Sequence, residues 1–231
     1  MNEVRDGWLE SLRADLISIS EGAARQLWPG ARPEGPAFFN YRLEHVRQVE
    51  REARYLLASA GGDEEVVLAS VWLHDRWQPA FQGADHGPHA AAWAAEHLAA
   101  RGFPEDKVER VCFAVTHHSD PPGTLPPEAH EARLLWDADK LAHTGAAEVL
   151  LLLLASTAAD RVRDIPNDPA FPEGRLTLAD WIRMAVGGLW QEESPAQRFY
   201  LEPARQRAAE RWAAQQAFLA SLREQASPES G

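Results

Sequence analysis

Val71-Trp72-Leu73-His74-Asp75 decides how this chain is read: an apolar helical run ends in a histidine and an aspartate side by side. Adjacent residues on a helix point about 100° apart. The two side chains therefore cannot stack on each other as an i,i+4 pair does. Both can converge on one small object at the helix end, and a divalent cation fits that role. Imidazole nitrogen suits transition metals, and carboxylate oxygen suits harder ions or a bridge between two ions. A His-Asp dipeptide alone is common and often only caps a helix, so the rest of the chain must carry the argument.

Outward from this stretch, apolar residues recur at helical spacing and strand signals are nearly absent. Trp8, Leu12, Leu16 and Ile19 mark a first helix. The next covers 41–59, with His45, Val49, Ala53 and Leu56 as its stripe. Gly61-Gly62 ends it, and Asp63 caps the helix that leads to His74-Asp75. A helix over 88–100 follows. Pro104 starts another, with Val108, Val111, Val115 and His118 on one face. The next carries Leu135, Ala138, Asp139 and Ala142 together. The very apolar segment 145–159 reads as a helix buried on most sides. A short helix over 176–186 and a long amphipathic one over 202–224 complete the chain. The latter has a stripe of Ala204, Ala208, Trp212, Leu219 and Leu222, which Gln215 interrupts, so burial there is expected to be partial. Loops are expected at 29–36, 78–87, 120–127 and 161–174. The expectation is an all-α fold of roughly eight to ten helices. It is read as a single domain over 1–231, with a core at 41–154 and helical extensions at 1–36 and 175–225.

Composition narrows the function. The 231 residues carry a formal net charge of −12, which repels a nucleic acid backbone. A small phosphate-bearing ligand is still admissible where metal ions or local Arg and Lys reverse the field. Hydrophobic residues make up 45%, enough for a sizeable core. The single cysteine, Cys112, cannot form an intrachain disulfide and reads as core filling. No apolar run approaches the ~20 residues of a membrane helix, and the start of the chain has no secretory pattern. A cytoplasmic protein without nucleic acid or membrane partners is expected, and a homodimer is compatible with the sequence.

Five predicted helices place a ligating side chain on or near an apolar face: His45; His74 with Asp75; His86 or His89; His118; and Asp139. A core-facing histidine needs a partner, because an unsatisfied buried polar group costs about 1–3 kcal/mol. One such histidine is most often a hydrogen-bonded core residue. Several, interleaved with acids on successive helices, favour a shared metal centre. Spacing does not choose between His86 and His89, and Asp137 fits the apolar spacing as well as Asp139 does.

The order His…His-Asp…Asp resembles the HD-domain metal-dependent phosphohydrolases, over about 41–154. The matching motifs are Tyr41-Arg42-Leu43-Glu44-His45, Leu73-His74-Asp75 and Asp137-Ala138-Asp139-Lys140-Leu141. The resemblance implies His45, His74, Asp75 and Asp139 as ligands of one divalent ion (Mn2+, Ni2+, Co2+, Fe2+, Zn2+ or Mg2+). It selects Asp139, the acid directly before the basic residue, and it selects His86 and His118 over their neighbours. With Asp75, these two are the expected catalytic residues, serving phosphate, proton transfer or a second ion. Arg42, Arg47 and Lys140 lie near the motifs as candidates for holding phosphate. The 202–224 helix resembles, more weakly, the tail of small bacterial HD proteins.

The implied activity is hydrolysis of a nucleotide or another small phosphate ester or anhydride. Members that hydrolyse guanosine tetraphosphate carry Glu-Asp where this chain has Gln78-Pro79, which argues against that substrate. A two-metal cyclic-dinucleotide phosphodiesterase is a second reading. His117-His118 supports it, but the Gly-Tyr-Pro of that subgroup is missing. A metal-containing ligand-binding protein without turnover is the third. Of the nine tryptophans, Trp72 or Trp77 is placed to stack on a base.

Overall fold

Asn40 starts the helix that carries the first histidine: its side chain accepts from Leu43 N at 3.1 Å, and Gly61, at φ 72°, closes the same helix. Such local signals recur along the chain. The computed structural model describes residues 7–27, 36–77, 86–158, 178–186 and 193–226. Among these residues every element is helical: α1 Gly7–Leu27, α2 Tyr41–Ala60, α3 Glu64–Leu73, α4 His86–His97, α5 Val108–His117, α6 His130–Ala142, α7 Ala146–Ala158, α8 Leu178–Val186 and α9 Glu202–Ala226, with short 3₁₀ turns between. The all-α expectation holds. None of these helices is long and apolar enough to cross a membrane.

The described residues form two compact units. The first takes those up to Ala142 together with Arg198–Gln206, and the second takes those from His143 to Gln197 together with Arg207 onward. In the first, α3 is the axis. Val66 to Leu73 are all buried, the pattern of a helix enclosed on every side. α1, α2, α5 and α6 pack around it, α2 also packs along α6, and α4 lies on α5. Asp63 caps α3 as expected, accepting from Val66 N at 3.4 Å. In the second unit, Val149 of α7, Ile182 and Val186 of α8 and Leu219 of α9 form the core.

Several expectations need correction. α4 begins at His86 rather than at Pro88, because a proline in the first helical turn has no N–H that the helix needs. α5 begins at Val108, after a 3₁₀ turn at Glu105–Lys107 that follows Pro104. α7 is less enclosed than its composition suggests: Leu150 is 53% and Leu154 41% exposed. Gln215 is buried, not partly exposed, because its Oε1 accepts from Gly145 N at 3.0 Å. Gly145, at φ 102°, places that N–H. Cys112 is only half-buried, where its Sγ donates to Ala91 O across α4 and α5. Of the expected loops at 29–36, 78–87 and 161–174, residues 29–35, 78–85 (with Gln78 and Pro79) and 161–174 lie outside the described residues, and His86 and Gly87 are helical.

Candidate metal centre

The first unit brings its buried histidines and acids together. His45 projects from the second turn of α2, on the same stripe as Val49 and Ala53. His74 is the C-cap of α3 and Asp75 follows it. His86 opens α4, His118 is the C-cap of α5, and Asp139 lies on α6. All six are buried. His89 points to solvent, whereas His86 is buried.

The six residues form two triads, His45–His74–Asp139 and Asp75–His86–His118, each with ligating atoms within 4.8 Å of one another. Donors about 2.0–2.2 Å from one ion lie no more than about 4.4 Å apart, so each triad is within a few tenths of an ångström of the spacing an ion would impose. His45 Nε2 is 3.2 Å from Asp139 Oδ1, and His74 Nε2 is 3.9 Å from the same oxygen. Asp75 lies between the triads. Its Oδ2 is 3.4 Å from His45 Nε2 and 3.5 Å from His74 Nε2, while its Oδ1 is 3.4 Å from His86 Nε2 and 4.0 Å from His118 Nε2.

Tautomers follow from the hydrogen bonds. His74 Nδ1 is 2.7 Å from Val71 O, and His118 Nδ1 is 2.7 Å from Val115 O. A carbonyl only accepts, so in each neutral ring Nδ1 carries the proton and Nε2 presents a lone pair. The two C-cap histidines thus use one device: each turns back onto the carbonyl three residues earlier and aims Nε2 inward. His74 Nε2 is buried and makes no hydrogen bond. A buried lone pair without a donor is costly unless a cation meets it, and that atom is the observation that best fits a metal. His118 Nε2 lies 2.9 Å from His86 Nε2, so His86 is the donor of that pair, and Ser119 Oγ is 3.0 Å away.

Burial also keeps these rings neutral. His74 is driven well below the ordinary histidine pKa by burial, with Asp139 opposing and His118 and His45 reinforcing the shift. His118 falls to about 4, again mainly through burial, against the pull of Asp139 and the Val115 carbonyl. A neutral imidazole is the form that ligates.

The candidate phosphate-holding cations are already engaged. Arg42 is buried and bonds Asp75 Oδ2. Lys140 Nζ bonds Asp139 Oδ2 at 2.6 Å. Arg47 pairs with Glu44 on the exposed side of α2 at 2.8 Å. Trp72 is buried and donates to Glu50 at 2.9 Å, so it offers no stacking face, whereas Trp77 is 46% exposed. Asp137 is fully buried but outside both triads. Its oxygens accept from Tyr200 N at 2.9 Å and Leu201 N at 2.7 Å, which anchors the start of α9. Burial raises its pKa to about 7 despite those two donors.

The sequence reading missed Gly87. A Cβ there would lie 2.8 Å from Val115 O and 3.1 Å from Thr116 O. Only glycine lets α4 approach α5 closely enough for His86 to reach His118. The available signal was a glycine directly after a candidate ligand at a helix start. A cleft of about 290 Å³, lined by Gly87, Pro88, Thr116, His117, His118, Ser119 and Asp120, opens beside the second triad.

No protein-family model and no curated protein matches the chain. Solved structures do. Bacillus subtilis YpgQ is 16% identical, with a TM-score of 0.64 over 99% of this chain and 97% of that one. A predicted HD superfamily hydrolase from an uncultured Thermotogales bacterium is 20% identical, with a TM-score of 0.54 over 92% and 91%. The fold is that of the HD superfamily. YpgQ has also been solved in complex with ADP, and that structure matches with a TM-score of 0.60 at 16% identity, over 99% of this chain and 98% of that one. A Lactobacillus plantarum protein, 22% identical, matches with a TM-score of 0.55 over 92% and 96%.

Proposed function

We propose that this HD-fold protein is a metal-dependent phosphohydrolase acting on a nucleotide or another small phosphate ester or anhydride. The observation that carries the reading is Asp75, whose two oxygens face two different histidine pairs in a buried site. The ADP complex of YpgQ supports a nucleotide as the ligand class.

His45, His74, Asp75 and Asp139 would hold the first ion. When bound, a divalent ion supplies a Lewis acid for the phosphoryl oxygens and a water acidified toward neutral pH. The protein's part is to hold and orient. The Val71 carbonyl fixes the His74 ring, and Lys140 holds one oxygen of Asp139 while the other faces His45. His86 and His118 share one proton across their Nε2 atoms and stand beside the cleft, where His86 carrying a proton on both ring nitrogens would pass one to a leaving oxygen and remain as the neutral ring. Alternatively, with the His86 proton moved to Nδ1, so that both Nε2 atoms present lone pairs, the two histidines would join Asp75 in holding a second ion. Arg42 would exchange a carboxylate for a substrate phosphate, Lys140 would meet that phosphate with an N–H it does not give to Asp139, and Arg47 would make an exchange like that of Arg42 from Glu44.

Metal-stripped protein reloaded with Mn2+ tests this against a panel of nucleotides, cyclic dinucleotides and sugar phosphates. Release of phosphate, pyrophosphate or nucleoside monophosphate that vanishes in Asp75→Ala supports the proposal. No release from any member of the panel contradicts it in favour of a ligand-binding protein.

A further inference from the structure

The two triads stand on different supports. His45, His74 and Asp139 come from α2, α3 and α6, which pack on one another directly. His86 comes from α4, which leans on α5 and meets α3 at few points. Asp75, at the end of α3, nevertheless lies 3.4 Å from His86 Nε2, so a direct contact between the end of α3 and α4 would add to the support that α5 gives both.

The residue after Asp75 makes that connection. Arg76 is buried, and its N–H donates to Leu73 O at 3.0 Å, which continues the turn that presents Asp75. Its guanidinium carbon lies 3.8 Å from the centre of the Trp93 ring on α4. Arg101 lies over the same ring at 4.6 Å. Asp15 of α1 pairs with both: its Oδ2 is 3.5 Å from Arg76 and accepts from Arg101 at 3.1 Å. Trp93 lies about two turns after His86 on the same helix.

We propose that Arg76, clasped over Trp93, is a positioning residue that holds His86 against Asp75 and His118, and that the first triad does not depend on it. A planar guanidinium stacks on an indole face in a way an ammonium cannot match. The clasp spans the one join between α3 and α4 that helix packing leaves thin. Its bearing on catalysis rests on the function proposed above, whereas the positioning claim stands without it.

The test uses metal-free protein with ¹⁵N-labelled histidine. The His86–His118 contact gives one hydrogen-bonded imidazole N–H signal. The His74–Val71 and His118–Val115 contacts give two more, each local to its own helix end. In Arg76→Met and in Trp93→Leu the His86–His118 signal is lost and the two local signals remain. Arg76→Lys, which keeps a cation beside Asp15, restores it in part. Equilibrium dialysis with Mn2+ gives a second readout: the variants weaken an ion at Asp75, His86 and His118 about tenfold or more and leave the first triad unchanged. Persistence of the His86–His118 signal in both variants overturns the proposal. Joint loss of all three signals also overturns it, because the clasp would then support the whole fold rather than one triad. If the unsubstituted protein takes up one Mn2+ only, the second-ion reading fails and the imidazole signals still decide the positioning claim.

Discussion

Asp75 faces both triads with different oxygens, while each histidine faces one, and this division makes single substitutions informative. His74→Ala should lose the first ion under mild chelation, read by metal analysis after dialysis. An unchanged metal content would remove His74 from the ligand set. His118→Ala should keep that ion and lose about 10²–10⁴-fold in turnover. Full turnover in that variant would refute its role. Asp137→Ala removes the acceptor for Tyr200 N and Leu201 N. It should destabilise the protein by about 1–3 kcal/mol for each N–H left buried and unpaired, read by urea denaturation, with the first ion retained. These residues differ in how legible they were. His45 and His118 lie on apolar stripes and could be read from spacing. Asp137 and Asp139 could not be separated that way, because α6 is buried on nearly every side and periodicity loses its meaning there. Their tertiary partners differ: Asp137 meets backbone N–H groups, and Asp139 meets His45.

Helix-end signals set the elements, and they were mostly visible in the sequence because capping is local. Asp63 is a case with a measurable pH signature. Partial burial pushes its pKa up, but Lys107, the Val66 N–H and Arg110 pull it down further, so it lies below the ordinary aspartate value. A carboxyl whose folded pKa is depressed stabilises fully above its unfolded pKa, near ~4, and loses that contribution as pH falls through the folded value. Asp63→Ala should therefore cost about 0.5–2 kcal/mol at pH 7, and the difference from the unsubstituted protein should shrink below pH ~4. A difference independent of pH would mean that the charge has no part in the cap. Gly87 is an element-scale residue of the opposite kind, legible only from packing. Gly87→Ala should press α4 off the Val115 carbonyl, cost about 1–3 kcal/mol as overpacking does, and weaken the His86–His118 hydrogen bond. Unchanged stability together with an unchanged imidazole signal would show that the close approach is not needed. The start of α4 and the exposure of α7 were misjudged for related reasons: proline tolerance in a first turn depends on its position, and an apolar composition does not say which neighbours arrive.

For the whole molecule, charge and fold bear on the same ligand. A net charge of −12 repels a nucleotide until it reaches the site, so kcat/KM for an anionic substrate should rise as salt screens that field. A fall with salt would point to local cations as the dominant attraction. The overall topology was readable because helical periodicity ran nearly unbroken and the ordered His…His-Asp…Asp set named a known arrangement. The grouping of these side chains into two triads was not readable, since it depends on how α4 and α5 approach the end of α3. The most direct test of the central claim is an anomalous-difference map from a crystal of the protein equilibrated with Mn2+. The account predicts a peak enclosed by His45, His74, Asp75 and Asp139, with any second peak among Asp75, His86 and His118. A map with no peak at these residues, or with Mn2+ held elsewhere, would contradict it.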